Sequence, residues 1–307
     1  MNKITYLDGA RLHHAIVAGA NNVLSNQDHL NKINVFPVPD GDTGTNMAFT
    51  LTHILEAISK CIYTRADDML AHIADAALDG ARGNSGVILA QFFQGISDGA
   101  AGIIRMTPED FCKATQVGAE YARNALAEPK EGTILTVLID FSMGICNLID
   151  CDNYDFDSLL EKSIKIAEKS LLNTPNLLPV LKKANVVDAG GQGFVDFLYG
   201  ISDFIKNGVL KNLEINTVKQ KFTDKLNYTE GDIESSEFQY CTECIIIGEN
   251  INHKKIHDSL QENGDSLVIA GNKKKTKIHI HVNNPTDIFK ICTNFGAVID
   301  ENEVGPI

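Results

Sequence analysis

The chain has 307 residues, a length greater than that of most single compact domains, and 44% of its residues are hydrophobic, enough to fill a sizeable core. We therefore expect two domains. Acidic residues outnumber basic ones by 40 to 27, and the resulting net charge of −13 argues against nucleic acid as a partner. The N-terminus lacks an apolar core with a cleavage site, and no uncharged stretch is long enough to span a bilayer, so the sequence predicts a cytoplasmic protein without a transmembrane segment.

The seven cysteines are odd in number and lie scattered through apolar stretches. This pattern is typical of reduced core thiols rather than of a disulfide framework.

Apolar residues recur at steps of three and four from about residue 7 to residue 207, and Gly, Pro and Asp/Asn clusters separate the periodic segments. With no convincing strand between them, these segments favour an all-α bundle or barrel. The predicted helices lie near 7–25, 43–62, 66–79, 84–100, 107–126, 131–148, 156–173 and 191–207, with a short turn near 176–184.

After residue 207 the residue pattern of the chain changes. Residues 208–237 are polar, charged and weakly periodic, so we predict a linker there, after a helical domain at 1–207. In residues 238–307, short strand and helix patterns follow one another in the order βαββαβ, which suggests a small ferredoxin-like α/β domain.

A run of acids and glycine, Asp40-Gly41-Asp42, precedes the predicted helix that begins within TGTNM. Carboxylates two residues apart on such a turn can converge on Mg²⁺, and the helix start offers free N–H groups to phosphates. Thr43, Thr45 and Asn46 would add side-chain hydrogen bonds. A surface turn with an acidic cap is the alternative interpretation, and this segment alone does not exclude it.

Three further segments place glycine beside polar groups at predicted helix starts: GARGNSG at 80–86, EGT at 131–133 and DAGGQG at 188–193. If these starts lie on one rim of the bundle, they form a single polar site that can cradle phosphate. Close helix packing through small residues is the alternative. No GxxxxGK[ST] occurs, which excludes a P-loop, and no GxGxxG follows a strand.

Four segments, NVFPVPDGDTGTNM, GARGNSGVILAQ, EGTILTV and VVDAGGQGF, resemble the signatures of a known nucleotide-binding domain. The catalytic subunit of bacterial fatty acid kinase and the ADP-binding subunit of dihydroxyacetone kinase share that domain. The fatty acid kinase branch is the more similar, because it carries PVPDGDTGTNM nearly unchanged and continues into a domain with a YCTE motif and an HxH strand. The resemblance covers almost the whole chain and implies an eight-helix barrel that binds ATP at its rim.

The resemblance also implies roles for individual residues. It makes Asp40 and Asp42 the ligands of Mg²⁺, with two ions expected, and offers Asn34 as a third ligand. The dihydroxyacetone kinase branch has three aspartates and a following His, whereas here Asn34 takes the place of the first acid at a shifted spacing and Thr43 that of the His. The residues implied to hold the nucleotide are Gly83, Asn84, Ser85 and Gly86 at the phosphates and Thr133, Asp188 and Gly190 along the pocket.

The implied reaction is phosphoryl transfer from ATP to a fatty acid carboxylate, which needs no general base. In this family a separate fatty-acid-binding subunit presents the acyl chain, the product is an acyl phosphate, and a homodimer is expected. A non-catalytic nucleotide- and zinc-binding scaffold and a dihydroxyacetone-type kinase subunit remain alternatives. The family subunit is longer, with a further C-terminal domain, so we expect this chain to be either a fragment or a shorter relative.

A second set of candidate ligands lies in the smaller predicted domain. Lys277 to Val282 alternates, which places His279 and His281 on one strand face. On a neighbouring regular strand Cys241 shares a face with Glu243, and Cys244 points away. Thiolate and imidazole suit Zn²⁺, so Cys241, His279 and His281 are candidate ligands. A buried thiol with two exposed histidines is the alternative from spacing alone, and the resemblance favours the metal.

Overall fold

A computed structural model describes residues 3–61, 63–126, 128–151, 154–207 and 238–306. They fall into two compact units: the described residues of Met1–Arg123 and Lys130–Gln220, and those of Asn124–Pro129 and Lys221–Ile307. The predicted linker at 208–237 lies outside the described residues, and the domain boundary placed there stays a prediction.

The first unit is helical, as predicted. Each of the eight predicted helices is present, although the first ends at Lys32 rather than near residue 25, and the predicted short turn near 176–184 contains a short helix at Pro179–Ala184. Asp residues begin two of the helices by capping: Asp8 accepts from the N–H of Arg11, and Asp155 from that of Ser158. The helices are α1 (Gly9–Lys32), α2 (Thr43–Ile58), α3 (Ala66–Asp79), α4 (Gly83–Gly99), α5 (Pro108–Asn124), α6 (Ile134–Cys151), α7 (Phe156–Leu177), α8 (Pro179–Ala184) and α9 (Ala189–Asn207).

Aromatic side chains join three of these helices in the core. The ring of Phe194 on α9 makes T-shaped contacts with Phe92 on α4, at 5.7 Å between centroids, and with Phe141 on α6, at 5.3 Å. All three rings are nearly fully buried. Because edge-to-face packing restricts how the rings can shift, this cluster holds α4, α6 and α9 at fixed positions relative to one another.

Helices α4 and α5 approach closely through glycines. A Cβ atom on Gly95 would lie 2.6 Å from the Cα atom of Gly118, and one on Gly118 would lie 2.8 Å from the carbonyl oxygen of Phe92. A side chain at either position would therefore force the two backbones apart.

The cysteine prediction is wrong for two of the seven residues. Cys112 on α5 and Cys146 on α6 form a disulfide. The two helices pack side by side, where the hydroxyl of Ser142 donates to the carbonyl of Thr115 at 2.9 Å, and this brings the two cysteine Cα atoms to 5.2 Å, within the range that a disulfide spans. Cys61, Cys241, Cys244 and Cys292 are free thiols.

The second unit has the predicted order of elements: β1 (Tyr240–Ile247), α10 (His253–Leu260), β2 (Asp265–Gly271), β3 (Lys275–Val282), α11 (Pro285–Cys292) and β4 (Ala297–Pro306). The strands form one antiparallel sheet in the order β2-β3-β1-β4. One face, with Ile246, Ile278 and Ile280, packs in an apolar core with Ile256 of α10 and Ile288 of α11. The opposite face carries a row of polar side chains.

The segment 124–129 departs from the predicted helix at 107–126. Helix α5 ends at Asn124, after which Leu126 pairs with Val268 of β2 and the N–H of Ile269 donates to the carbonyl of Ala125 at 3.0 Å. Because these backbone groups bond to a strand, they are not available to continue the helix. The segment therefore belongs to the second unit.

We predict that Gly95→Ala lowers the free energy of unfolding of the first unit by about 1 to 3 kcal/mol, because its methyl group overpacks the α4–α5 contact. Chemical denaturation followed by circular dichroism measures the change. Gln116→Ala, an exposed position on α5, is the matched control and should alter stability little. An unchanged unfolding midpoint in the glycine variant would contradict the close packing.

Candidate functional site

The turn before α2 brings Asn34, Asp40 and Asp42 together. The amide Nδ2 of buried Asn34 donates to Asp40 Oδ1 at 2.6 Å, and the backbone N–H of Asp42 lies 3.4 Å from the same oxygen. Gly41 between the acids has φ of 66°, a conformation that glycine adopts without strain. The two carboxylates therefore lie close together at a tight turn.

The proximity of the two acids affects their ionisation. Partial desolvation and the negative charge of Asp42 raise the pKa of Asp40 to about 7, although the residue keeps an exposed surface. Two carboxylates held this close repel each other, and a bound cation relieves that repulsion.

The start of α4 lies beside Asp42. Asn46 donates from Nδ2 to Asp42 Oδ2 at 2.8 Å, and a Cβ atom on Gly83 would lie 2.3 Å from that same nitrogen. Gly83 has φ of 57° and is the first residue of α4. Asp42 precedes α2 without capping it through its side chain, so its carboxylate faces Asn46 and the α4 start instead.

The starts of α6 and α9 join the same group through Asp188. Its Oδ2 accepts from the N–H of Gly191 at 2.7 Å, and the backbone N–H of Ile134 also bonds to this carboxyl group. The hydroxyl of Ser85 on α4 lies 3.3 Å from the position of a Cβ atom on Gly190. The starts of α2, α4, α6 and α9 thus lie side by side. This is the condition under which the predicted helix starts form a single polar site.

Asp188 is 6% exposed. Burial raises the pKa of Asp188 to about 6, although the N–H groups of Gly191 and Ile134 lower it in part by stabilising the charged form. The residue therefore connects helix starts at the cost of burying a carboxyl group.

Among the residues that the structure describes, two buried amide oxygens at this site have no hydrogen-bond partner: Oδ1 of Asn34 and Oδ1 of Asn84. Buried acceptors are normally satisfied, so each indicates a missing partner. The Asn34 oxygen belongs to the side chain that bonds Asp40, and an amide oxygen with two carboxylates is a ligand set that Mg²⁺ accepts. These residues fit the predicted magnesium ion.

Some predicted nucleotide-binding residues are engaged within the protein. The hydroxyl of Thr45 accepts from the side-chain amides of Gln27 at 3.1 Å and Asn31 at 2.9 Å, and that of Thr133 donates to the carbonyl of Lys130 at 2.8 Å. Thr43 is buried, and a Cβ atom on Gly86 would meet the Thr50 hydroxyl at 2.4 Å. Nucleotide binding by Thr43, Thr45, Thr133 and Gly86 stays a prediction.

Arg82, which directly precedes Gly83, is not among the site residues predicted from the sequence. Its guanidinium lies 5.4 Å from the centroid of the Phe49 ring, a cation–π distance. No described carboxylate forms an ion pair with it, whereas Arg65 pairs with Asp67 and Asp68. The signal that would have identified Arg82 as a candidate phosphate-binding residue was its positive charge between Gly80 and Gly83, in a segment predicted to bind phosphate.

The second unit brings Cys241, His279 and His281 together. Cys241 pairs with His281 across β1 and β3, and one ligand atom from each of the three residues lies within 4.8 Å of the others. Cys241 Sγ is 3.7 Å from Nδ1 of His279. Cys244 points into the apolar core, 3.8 Å from the sulfur of Cys292, as the predicted alternation requires. A thiol and two imidazoles within this distance fit Zn²⁺.

Carboxylates contact both histidines of this cluster. His279 Nδ1 lies 3.0 Å from Glu243 Oε1, and His281 Nδ1 lies 3.2 Å from Asp265 Oδ1. Burial lowers the pKa of His279, but Cys241 and Glu243 outweigh that effect and raise it to about 10. The site is thus electronegative around its imidazoles and suits a cation.

Comparisons with known proteins agree with both parts of the chain. A family model described as the DAK2 domain matches residues 37–203, and one described as the FakA-like fatty acid kinase middle domain matches residues 237–302.

Within the described residues, no helix combines the length and apolar character that crossing a bilayer requires.

Similar proteins occur in staphylococci. An uncharacterised protein of Staphylococcus epidermidis is 33% identical over 302 residues, which cover 96% of this chain and 54% of the relative. One of Staphylococcus saprophyticus is 32% identical with the same coverage. The chain thus spans about half the length of these curated relatives. Among solved structures, the dihydroxyacetone kinase from C. freundii in complex with AMP-PNP and Mg²⁺ is 16% identical, with a TM-score of 0.49 and coverage of 66% of this chain and 35% of that chain.

We predict that Asp188→Asn removes a pH dependence of stability. The folded-state pKa of about 6 exceeds the ordinary value of 3.8, so the folded protein retains a proton that the unfolded chain releases, and this residue makes stability fall as pH rises between those values. The free energy of unfolding of the variant relative to wild type should therefore rise by roughly 2 kcal/mol from about pH 4 to about pH 7. Denaturant titrations across this range measure it. Asp75→Asn, an exposed position on α3, is the control, and parallel curves for the Asp188 variant and wild type would contradict the assignment.

Proposed function

Because this chain belongs to the DAK2 domain family, we propose that it is the ATP-binding part of a fatty acid kinase, which phosphorylates a fatty acid carboxylate. The observation that supports this proposal best is the gathering of four helix starts, of which those of α2 and α4 lie at Asp42 and those of α9 and α6 follow through Ser85 and Asp188. A helix start offers unpaired N–H groups and a positive dipole end, so several together favour a polyphosphate.

In this proposal Asp40, Asp42 and Asn34 hold Mg²⁺, and two ions are expected. Bound Mg²⁺ supplies the positive charge that neutralises phosphate oxygens during transfer. The N–H groups at the start of α4, with Asn84 and Ser85, bind the phosphates. Asn46 fixes the direction of the Asp42 carboxylate towards them.

The chemistry at the acceptor requires no proton transfer. One carboxylate oxygen of the fatty acid forms a bond to the γ-phosphorus as the bond from that phosphorus to the bridging oxygen breaks, and ADP leaves. In the described part of the chain, no histidine forms a hydrogen bond or ion pair with Asp40 or Asp42; their side-chain partners are amides and each other. This surrounding suits an acceptor that is already an anion.

The match of residues 237–302 to a fatty acid kinase middle domain supports a fatty acid as acceptor rather than dihydroxyacetone. We further propose that a separate fatty-acid-binding protein presents the acyl chain, that the protein is a cytoplasmic homodimer, and that Cys241, His279 and His281 bind Zn²⁺. In fold terms, we propose an eight-helix barrel followed by a ferredoxin-like domain. The strand order β2-β3-β1-β4 and the βαββαβ sequence of elements support the latter.

We predict that Asp42→Asn weakens Mg²⁺-dependent ATP binding at least tenfold, because it removes one of two anionic ligands (about 1.4 kcal/mol per tenfold change). Isothermal calorimetry with and without Mg²⁺ measures the loss, which should vanish when Mg²⁺ is omitted. Asp75→Asn controls for the loss of one negative charge elsewhere on the helical unit. Equal affinity of wild type and Asp42→Asn in Mg²⁺ would overturn the site.

We predict that ATP, Mg²⁺, oleate and a cognate fatty-acid-binding protein yield acyl phosphate, trapped as the hydroxamate. If the partner contacts require a part of the family subunit beyond these 307 residues, ATP binding will persist while turnover is reduced relative to a full-length relative. Transfer to dihydroxyacetone would instead support the polyol kinase alternative. ATP binding without transfer to either acceptor, in the presence of that full-length relative as a working control, would favour a non-catalytic scaffold.

A further inference from the structure

We propose that Glu243 and Lys277 act as one buried charge pair that positions His279 as a metal ligand. Glu243 Oε1 lies 3.0 Å from His279 Nδ1, and Glu243 Oε2 lies 3.3 Å from Lys277 Nζ. Each carboxylate oxygen thus has its own partner. The inference rests on the metal site proposed above and is independent of the kinase proposal.

Strand geometry places these residues in one layer. Glu243 is paired directly with His279 across β1 and β3, while Lys277 precedes His279 by two residues on β3 and so points to the same face. The side chains of Lys277, Glu243 and His279 are 8%, 6% and 3% exposed. The row therefore runs from Cys241 and His279 to Glu243 and then to Lys277, and because Glu243 contacts Nδ1 of His279, the proposed metal would be held through Nε2.

Burial explains why Lys277 is needed. A carboxylate removed from water is costly unless it is paired, and an unpaired Glu243 would take up a proton or turn away from His279. Lys277 pairs with Glu243 and occupies the oxygen that His279 does not use. Metal-bound histidines characteristically carry such an outer carboxylate, and its loss typically weakens metal binding 10- to 100-fold.

A carboxylate also contacts His281, but it holds this histidine less firmly. Its Nδ1 lies 3.2 Å from Asp265 Oδ1, but the Asp265 side chain is 53% exposed and therefore competes with water. Asp265 also sits where the β2–β3 register shifts. The structure thus assigns the dominant positioning role to the buried pair.

The test compares Glu243→Gln, Lys277→Met and the double variant of the full chain by Zn²⁺ competition against a chromogenic chelator. Each single variant should bind Zn²⁺ 10- to 100-fold more weakly, and the double variant no more weakly than the weaker single, because the two residues act as one unit. Lys277→Arg should restore most of the affinity lost in Lys277→Met. Asp258→Asn, next to His257 on α10, is a matched carboxylate–histidine control and should leave the affinity unchanged.

Two further measurements separate positioning from other roles. The metal-free melting temperature of the double variant should stay near that of wild type, whereas removal of a pair whose role is to stabilise the fold would lower it. The ligand-field spectrum of the Co²⁺-loaded protein should be unchanged in Glu243→Gln and altered in Cys241→Ser. Unchanged Zn²⁺ affinity in both single variants, additive losses in the double variant, or a Glu243→Gln spectrum with altered coordination would each overturn the proposal. If Cys241→Ser binds Zn²⁺ like wild type, the metal site itself fails and the inference fails with it.

Discussion

The candidate nucleotide site depends on the absence of a side chain at Gly83. A Cβ atom there would lie 2.3 Å from Asn46 Nδ2, and this same nitrogen donates to Asp42. The start of α4 can therefore lie beside the Asp42 carboxylate only while residue 83 has no side chain. Ser85, two residues later, reaches Gly190 at the α9 start, and Asp188 connects α9 to α6. The close approach at Gly83 thus brings the α2 and α4 starts together, Ser85 and Asp188 link them to the α9 and α6 starts, and the ring contacts of Phe194 hold α4, α6 and α9 deeper in the core.

Sequence periodicity was sufficient to locate the helices and strands, because helices of three or more turns and alternating strands bury one face each. It was insufficient where a distant segment determined the local conformation. The end of α5 was misplaced by two residues because the extended backbone after Asn124 bonds to β2, some 140 residues further along the chain. The Cys112–Cys146 disulfide was missed for the same kind of reason, since only the packing of α5 against α6 brings those sulfurs together.

Local features of the candidate sites could be predicted from the sequence, but contacts between distant elements could not. Asp40, Gly41 and Asp42 are neighbours in sequence, so their convergence is a local property of the turn. Both family models support the resemblance read from these and the other motifs. The engagement of Thr45 with Gln27 and Asn31 depends on which side of α2 faces α1, and residue spacing alone cannot specify that. Likewise the alternation placed Glu243 rather than Cys244 on the face of Cys241, but only the register of β1 against β3 reveals that Glu243 lies directly opposite His279.

The two candidate metal sites differ in burial, and this difference bears on their use. Asp40 remains exposed and Asp42 partly so, which allows a cation there to enter and leave with the nucleotide. Around His279 the carboxylate and ammonium groups are almost fully buried, and such a pair contributes little net stability by itself because desolvation offsets its attraction. A buried pair that adds little stability but holds a candidate ligand in place is best explained by the ligand's requirement for orientation. If both proposed ions bind, the first lies at an exposed turn, open to exchange with the nucleotide, and the second lies beside a buried charge pair that keeps one of its ligands oriented.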